Sequence, residues 1–493
     1  MGEFRFRVPV EWQLDPYHAN SIHIVGIDGI PWPCRISVGE DPIIDSETGK
    51  PSGKLLTVSR NRDESGKLFT VYPFSKRGEL LICSGTLPSR EAPYQLLTEL
   101  ARGTLNRLRN QISIWMEGGL NIPDSVNSAV QKATGFLSRS ILSEQPETKD
   151  ESASQSIELA MDAIFGLSKA FGEQVSKFRR ENEQMSTFWF GNQVGSKAQY
   201  EPSISEASFD LARICIGPDS ETSISGAGGR DPSAIEKRVI VGPWLDASIG
   251  GMSKRLIILD DFLARKDQLL IEGRNQLEDL PRATSLIHVV SGLNGIGHRN
   301  LSYPQQLQIT VDLIRLVEES EVELPTMVSF DFPWAERLVG AVGGVHPLQV
   351  ADSMLRQGLE VGFLGLDINL DYWPNGSMLR DPLQWIDLID IWSQLGLPMI
   401  LNLKIPTGLP PAAETANREI NRSLSNLTDA NRIDFLETAL SVMIARPSVH
   451  GVIWPQWQDD DDRRYPGAGL VDSKGNEKPI LDLIRRLRQQ ASS

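Results

Sequence analysis

The pattern of apolar and polar positions divides the chain into three stretches. Residues 1–88 carry short runs rich in β-branched and aromatic side chains: FRFRVPV, SIHIVGI, CRISVG, KLLTVSR, KLFTVYP and ELLICSG. Turn-like segments GIDGIPWP, EDPIIDSETGKPSG and NRDESG separate them. Such runs bounded by Gly, Pro, Asn and Asp predict strands, and hence a small β-sandwich-like or jelly-roll-like domain. Residues 89–185 change period. Leu96, Leu97, Leu100, Leu105 and Leu108 recur at helical spacing. Pro123-Asp124 opens a second helix through Val126, Val130, Leu137 and Ile141. The polar stretch 143–156 reads as a loop, and a third helix is expected over 157–183. The whole is a helical connector.

From residue 186 short apolar runs alternate with longer amphipathic ones, the pattern of βα units around a parallel sheet. Eight strands are expected: STFWFG, DLARICI, KRVIVGPW, SLIHVVSG, PTMVSFDF, EVGFLGLD, LPMILNLKI and VHGVIWPQW. Helical segments follow near 258–278, 304–320, 347–358, 382–395, 429–445 and 477–490. Eight strands in about 300 residues fit a (β/α)₈ TIM barrel over 186–493. A doubly wound sheet requires a glycine-rich phosphate loop, and SISGAGGR (223–230) does not have that spacing.

Length and charge narrow the reading. With 493 residues, two or three domains are expected. The net charge is -15, from 64 acidic and 49 basic residues, which argues against nucleic acid as a partner. Cys34, Cys83 and Cys215 are widely spaced, so neither a disulfide framework nor a zinc site is indicated. No apolar run of membrane-spanning length is present, and no cofactor or metal motif. The first residues lack an apolar stretch of export-signal length, which leads to the expectation of a cytoplasmic protein, the alternative being a mature exported one.

The last stretch, HGVIWPQWQDDDDRRYPGAGLVDSKGNEKPILDLIRRL, carries the most specific pattern. It resembles the final strand, rim loop and closing helix of family-10 glycoside hydrolases (endo-1,4-β-xylanases). Gly469, Leu470, Asp472, Gly475, Lys478 and Pro479 match. QLGLPMILNLKIP (394–406) resembles that family's seventh strand, GLEVGFLGLDIN (358–369) its sixth and SLIHVVSGLNG (285–295) its fourth. The resemblance covers about 237–490. No family is recognised for residues 1–185.

Retaining glycosidases need two carboxyl groups roughly 5–5.5 Å apart across the scissile bond. The family holds them as glutamates at the ends of strands four and seven. Residue-by-residue matching puts the acid/base at Gly292 and the nucleophile at Leu403. The family's sixth-strand Gln and His fall on Leu364 and Leu366. The resemblance therefore implies a divergent member lacking both catalytic glutamates.

Other rim residues remain as candidates, since barrel chemistry sits at the C-terminal strand ends. Asp331, Asp367 and Asp371 are the fallback catalytic candidates, with Asp246 and Asp459 to Asp462 also near strand ends. Each is weighed against a role as a helix cap or solvated loop residue; the DDDD run is read as a solvated acidic loop. Asp381 before Pro382 is read as an N-cap. Trp244, Trp334, Trp373, Trp454 and Trp457 lie near strand ends and are candidates for stacking on sugar rings, with core packing as the alternative. His298 and His346 are isolated and read as ordinary surface or loop residues.

Three functions follow. The first is a catalytically inactive or divergent carbohydrate-associated barrel protein with an oligosaccharide or polysaccharide ligand. The second is an active hydrolase using relocated rim aspartates. The third is a structural or assembly protein, with self-association through the helical connector.

Overall fold

The computed structural model describes residues 2–9, 19, 21–26, 29–40, 53–182, 188–194, 208–214, 238–248, 251, 254–259, 261–297, 300–340, 344–408, 423–459, 462 and 464–492. Cys215, the glycine cluster 223–230, His298, Asp460 and Asp461 lie outside the described residues. The chain divides into two compact units. The first comprises Met1–Val175, Glu336–Val342 and Met378–Trp385; the second comprises Ser176–Ala335, Gly343–Ser377 and Ile386–Ser493.

The first unit has eight strands in two sheets. They are β1 (Gly2–Val8), β2 (His23–Val25), β3 (Pro31–Trp32), β4 (Arg35–Glu40), β5 (Lys54–Arg60), β6 (Lys67–Phe74), β7 (Gly78–Cys83) and β8 (Tyr94–Gln95). The sheet orders are β4-β5-β1-β8 and β3-β2-β6-β7. All six expected strands are present. β1 alternates buried and half-buried positions, so Phe4, Phe6 and Val8 share one buried face, as a period of two requires.

Three helices follow: α1 (Leu96–Glu117), α2 (Asp124–Leu142) and α3 (Pro146–Glu181). The expected loop at 143–156 is a correction: α3 is helical from Pro146. Proline suits a first helical turn, and Glu147, Asp150 and Glu151 place negative charge at the dipole's positive end. The polar residues of this stretch divide between solvent and a contact face. Ser152 and Ser156 are buried, and the Ser156 hydroxyl donates to the Ala133 carbonyl at 2.8 Å.

Two short segments that follow barrel strands in sequence belong to this first unit. The Leu81 amide donates to the Leu379 carbonyl at 2.9 Å. Arg107 grips Asp381 with two hydrogen bonds of 2.9 Å. Asp381 also accepts from the Leu383 and Gln384 amides, which makes it the N-cap expected from Asp-Pro. Arg380 pairs with Glu336 at 2.7 Å, both almost fully buried.

The second unit is the (β/α)₈ barrel. Its strands are β9 (Trp189–Val194), β10 (Leu211–Ile214), β11 (Arg238–Val241), β13 (Thr284–Leu293), β14 (Thr326–Asp331), β15 (Val361–Asn369), β16 (Met399–Lys404) and β17 (Val449–Trp454). A two-residue strand, β12 (Leu245–Asp246), extends the pairing on β13. All pairs are parallel; β9 pairs with β17 and β11 with β13, which closes the ring. The intervening helices include α4 (Lys254–Ile258), α5 (Phe262–Glu278), α6 (Tyr303–Glu318), α7 (Pro347–Arg356), α8 (Pro382–Ser393), α9 (Asp429–Ala445) and α10 (Pro479–Ser492). α6 begins with a capping box of Ser302 and Gln305. His346, in the loop as expected, caps α7 by accepting the Leu348 amide at Nδ1.

One cluster holds Leu211, Ile240, Leu286, Met327, Ile400 and Ile453 with Trp189 and Phe363. It takes one residue from each of the eight strands, so it is the floor of the barrel lumen. Each of its fully buried aliphatic members contributes about 1.5–3 kcal/mol by leaving water. From this floor the inward face of every strand follows by steps of two.

Candidate functional site

Above the floor, the lumen turns polar. Gln193, Arg213, His288, Ser329, Asp367 and Asn402 come from six different strands and form one hydrogen-bonded chain. Arg213 donates to Gln193 and, at 3.2 Å, to Asn402 Oδ1. Asn402 Nδ2 donates to Asp367 Oδ1 at 2.7 Å. Asp367 Oδ2 accepts from the Ser329 hydroxyl at 2.6 Å and from the Gly292 amide at 2.9 Å. Ser329 Oγ lies 3.0 Å from His288 Nε2, which is also 3.1 Å from the Val290 carbonyl.

The direction of these bonds decides what the chain can do. Val290 O only accepts, so His288 Nε2 carries the proton. The Ser329 proton goes to Asp367. His288 is therefore a donor to Ser329 and not its base, so the Ser–His–Asp trio does not activate a nucleophile. Burial, then the nearby Arg213, push the His288 pKa well below the usual histidine value. The ring is neutral at neutral pH.

The next step up is the mouth. Asp331, Asn369, Lys404 and Asp246 stand at the ends of β14, β15, β16 and β12. Asn369 Nδ2 donates to Asp331 Oδ1 at 2.9 Å, which also receives the Phe332 amide. Arg464, from the segment after β17, reaches Asp462 with bonds of 2.9 and 3.0 Å, Ser248 Oγ at 3.1 Å and Asp246 at 3.5 Å. Lys404 Nζ lies 3.4 Å from Asp462 and 4.3 Å from the centre of the Tyr465 ring. Burial resists ionisation of Asp246 and Asp462, but Arg464 and Lys404 outweigh it. Both carboxyls are held below their ordinary range, Asp462 far below. Burial, then Asp331, push the Tyr465 phenol well above its ordinary pKa.

Backbone strain gathers beside the same rim. Among the described residues the non-glycine positions with positive φ are Phe332 (50°), Ala335 (62°) and Asp371 (67°). All three follow β14 or β15. Left-handed backbone at such residues costs of order 1–3 kcal/mol each and concentrates at functional sites.

The candidates from sequence divide clearly. Asp367 sits in the lumen with three donors on its carboxylate. Asp331 is at the mouth. Asp371 is 1% exposed and accepts the Leu424 amide at 2.7 Å, so it pins the turn before α9. The solvated acidic loop expected at 459–462 is corrected at both described ends. Asp459 is buried against Lys478 and accepts the Gly469 amide, while Asp462 is ion-paired as above. Lys478 also bonds Thr407 and the Gly467 carbonyl, so three chain segments meet on one ammonium.

Four of the five tryptophans are core residues: Trp244, Trp373, Trp454 and Trp457 are at most 9% exposed and offer little ring face to a ligand. Trp454 Nε1 donates to the Ala468 carbonyl at 2.9 Å and ties the strand end to the following loop. Trp334 is half-buried and lies in the strained segment after β14.

The residues matched to catalytic positions also have defined places. Leu364, Leu366 and Leu403 alternate with Phe363, Gly365, Asp367, Asn402 and Lys404. They therefore face out of the lumen, and they are at most 1% exposed. The lumen-facing residues beside Leu403 are Asn402 and Lys404, neither a carboxylate. Gly292 has φ 78°, and a Cβ there would lie 2.5 Å from the Ser248 amide nitrogen. Its backbone excludes any side chain.

Arg213, His288, Lys404, Arg464 and Tyr465 were not among the candidates. The belt had a readable signal: one polar residue at the centre of an otherwise apolar strand, as in LARI or LIHVV. Arg464 and Tyr465 lie in a loop and had none.

No group of metal-ligating side chains occurs among the described residues. No described helix is long and apolar enough to cross a membrane. No family model matches the chain, and no curated protein matches it. Among solved structures it is similar to family-10 xylanases at low identity. An endoxylanase from a sugarcane soil metagenome gives a TM-score of 0.44 at 9% identity, covering 64% of this chain and 99% of that one. Xylanase 10B from Thermotoga maritima gives 0.42 at 13%, covering 64% and 98%. A thermostable xylanase mutant from Cellvibrio japonicus gives 0.45 at 11%, covering 63% and 99%.

Proposed function

We propose that the chain is a carbohydrate-associated barrel protein that binds an oligosaccharide at its strand ends and does not cleave it by the paired-carboxylate route. The observation that carries this reading is the engagement of the lumen acids. A general acid must hold its proton near neutral pH, which requires a raised pKa. Asp246 and Asp462 are shifted the other way by Arg464 and Lys404. A nucleophile must present a lone pair to carbon, and Asp367 already accepts three hydrogen bonds. Carbohydrate as the ligand class is supported by the motif resemblance of residues 450–487.

A second reading, a hydrolase centred on Asp331, draws on the strained backbone after β14 and β15. One set of assays separates the two. Turnover of xylan or an aryl β-xyloside is measured beside calorimetric binding of xylotriose. Binding without turnover is the expected result. Turnover that disappears in Asp331→Ala or Asp367→Ala would establish the hydrolase, and absence of both binding and turnover would remove carbohydrate as the ligand.

A further inference from the structure

We infer that the stretch from Arg380 to Trp392 is a clamp that holds the loop after β14 in its strained form, and that the first unit sets this clamp through Arg107. The inference uses neither the ligand nor the chemistry proposed above. Residues 332–335 connect β14 to a short 3₁₀ turn, Glu336–Gly340. Phe332 and Ala335, the first and last of them, have positive φ. Strained backbone of this kind persists only where its surroundings over-determine it. Here the loop is held near both ends. Trp392 Nε1 donates to the Pro333 carbonyl at 3.3 Å, and the Trp392 ring packs on Phe330 with centroids 5.1 Å apart. Arg380 donates to the Glu336 carboxylate at 2.7 Å. Trp392 and Glu336 are fully buried, and Arg380 is nearly so.

Both holding residues come from one stretch of chain. Asp381, next to Arg380, caps α8, and Trp392 lies in the last turn of that helix. α8 is unbroken, yet its first turn belongs to the first unit and the rest to the second. Each of these hydrogen bonds therefore lies inside one unit, and the helix joins them. The first unit fixes the cap end. Arg107 on α1 takes both Asp381 carboxylate oxygens at 2.9 Å. The Leu81 amide of β7 donates to the Leu379 carbonyl at 2.9 Å, and Gln384 Nε2 donates to the Leu81 carbonyl at 2.6 Å. Loss of the Arg107 grip loosens the cap end, Arg380 moves with it, and the Glu336 end of the loop relaxes. The consequence reaches the mouth. Asp331 Oδ1 accepts the Phe332 amide, so the loop backbone sets how that carboxylate is held. The first unit is thereby a conformational control on Asp331.

The test is amide hydrogen exchange on the full chain, read by mass spectrometry with fragmentation to single residues, in wild type and Arg107→Met. The variant cuts the clamp at its far end and keeps the Asp381 cap. The probe is the Ala335 amide, which bonds the Phe332 carbonyl at 2.7 Å. It is expected to exchange at least about tenfold faster in the variant, the size of one hydrogen bond to a charged group, while β17 keeps its wild-type rates. Acceleration confined to residues 378–385, with Ala335 unchanged, overturns the control. Equal acceleration in β17 also overturns it, because the variant then loosens the chain as a whole. A urea series on wild type needs no variant. Ala335 is expected to lose protection together with Leu383, Gln384 and Trp385. Protection of Ala335 that fails before those three, or that lasts until β17 opens, overturns the clamp.

Discussion

Replacing Asp367 by Asn separates a structural carboxylate from a catalytic one. The carboxylate accepts at both oxygens: Asn402 on one side, Ser329 and the Gly292 amide on the other. An amide has one oxygen and one NH₂ group. If the NH₂ faces Asn402, two amide donors meet. Asn402 cannot turn to accept, because its own oxygen takes a hydrogen bond from Arg213, which has donors only. If the NH₂ faces the other side, it meets the Gly292 N–H, a backbone donor that has no alternative orientation. Either way one hydrogen bond to a charged acceptor is lost, about 1.5–3 kcal/mol, and a buried donor is left facing another, about 1–3 kcal/mol. Relief of the buried charge offsets part of this, and a net loss of about 3 kcal/mol is expected. Two units make a single unfolding free energy ill-defined, so the readout is the melting of the barrel followed by tryptophan fluorescence, most tryptophans belonging to it. The expected drop in Tm is about 5 °C or more. A catalytic carboxylate behaves oppositely, since functional groups commonly sit at a cost to stability. An Asp367→Asn protein that melts at or above wild type, having lost a measurable glycosidase turnover, would refute the structural assignment.

Four further outcomes follow from the same geometry. His23 is 2% exposed, and burial lowers its pKa to about 4. The unfolded chain takes up a proton near pH 6.5 while the folded one does not, so stability present above pH 6.5 is lost as pH falls through 4. The loss is about 3 kcal/mol, and a His23→Gln protein should show a flatter decline of Tm across that range. Asp381→Ala removes a helix cap and the two hydrogen bonds that Asp381 accepts from the half-buried Arg107, which should cost about 2–5 kcal/mol in a melting experiment. Placing acids at the matched positions by Gly292→Glu with Leu403→Glu should yield no xylosidase activity and a destabilised protein, because one position excludes a side chain and the other points away from the lumen. Arg464→Gln removes the cation that holds down Asp246 and Asp462, so the carboxyl titrations followed by infrared difference spectroscopy should move upward.

The architecture was legible because strand-forming runs and helix-forming runs differ in period, and eight runs of the first kind are interleaved with six of the second. Each expected barrel strand is present, from Trp189–Val194 to Val449–Trp454, and the expected helix at 429–445 coincides with α9. The reading failed where polarity was taken for exposure. Residues 146–156 are polar, yet they are helical, and the Ser156 hydroxyl bonds the Ala133 carbonyl. Asp459 and Asp462 sit in a run of four acids, yet each has a cation supplied from elsewhere in the chain, Lys478 for the first and Lys404 for the second, which its near neighbour Arg464 also pairs with. Local sequence cannot name a partner that arrives from another segment.

The same reason explains the site. Letter-by-letter matching aligned Leu403 with a catalytic acid, and at that level the acid appeared to have become an isobutyl group. The pleat turns other residues of that strand inward. With Ile400 in the lumen floor, the inward residues of β16 are Asn402 and Lys404, and the outward ones include Leu403. A one-residue change of register exchanges the two faces of a strand, so low-identity matching conveys the strand and loses the face. The inward polar residue of each strand is meaningful only beside its neighbours on the adjacent strands. Arg213, Asn402 and Asp367 are separate letters far apart in the sequence, and they become one network because parallel pairing sets them at one level of the lumen. That network, with Lys404 above it, makes the lumen a site with donors and acceptors in fixed places. Among its described residues, Asp246, Asp367 and Asp462 are each already engaged by donors from elsewhere in the fold.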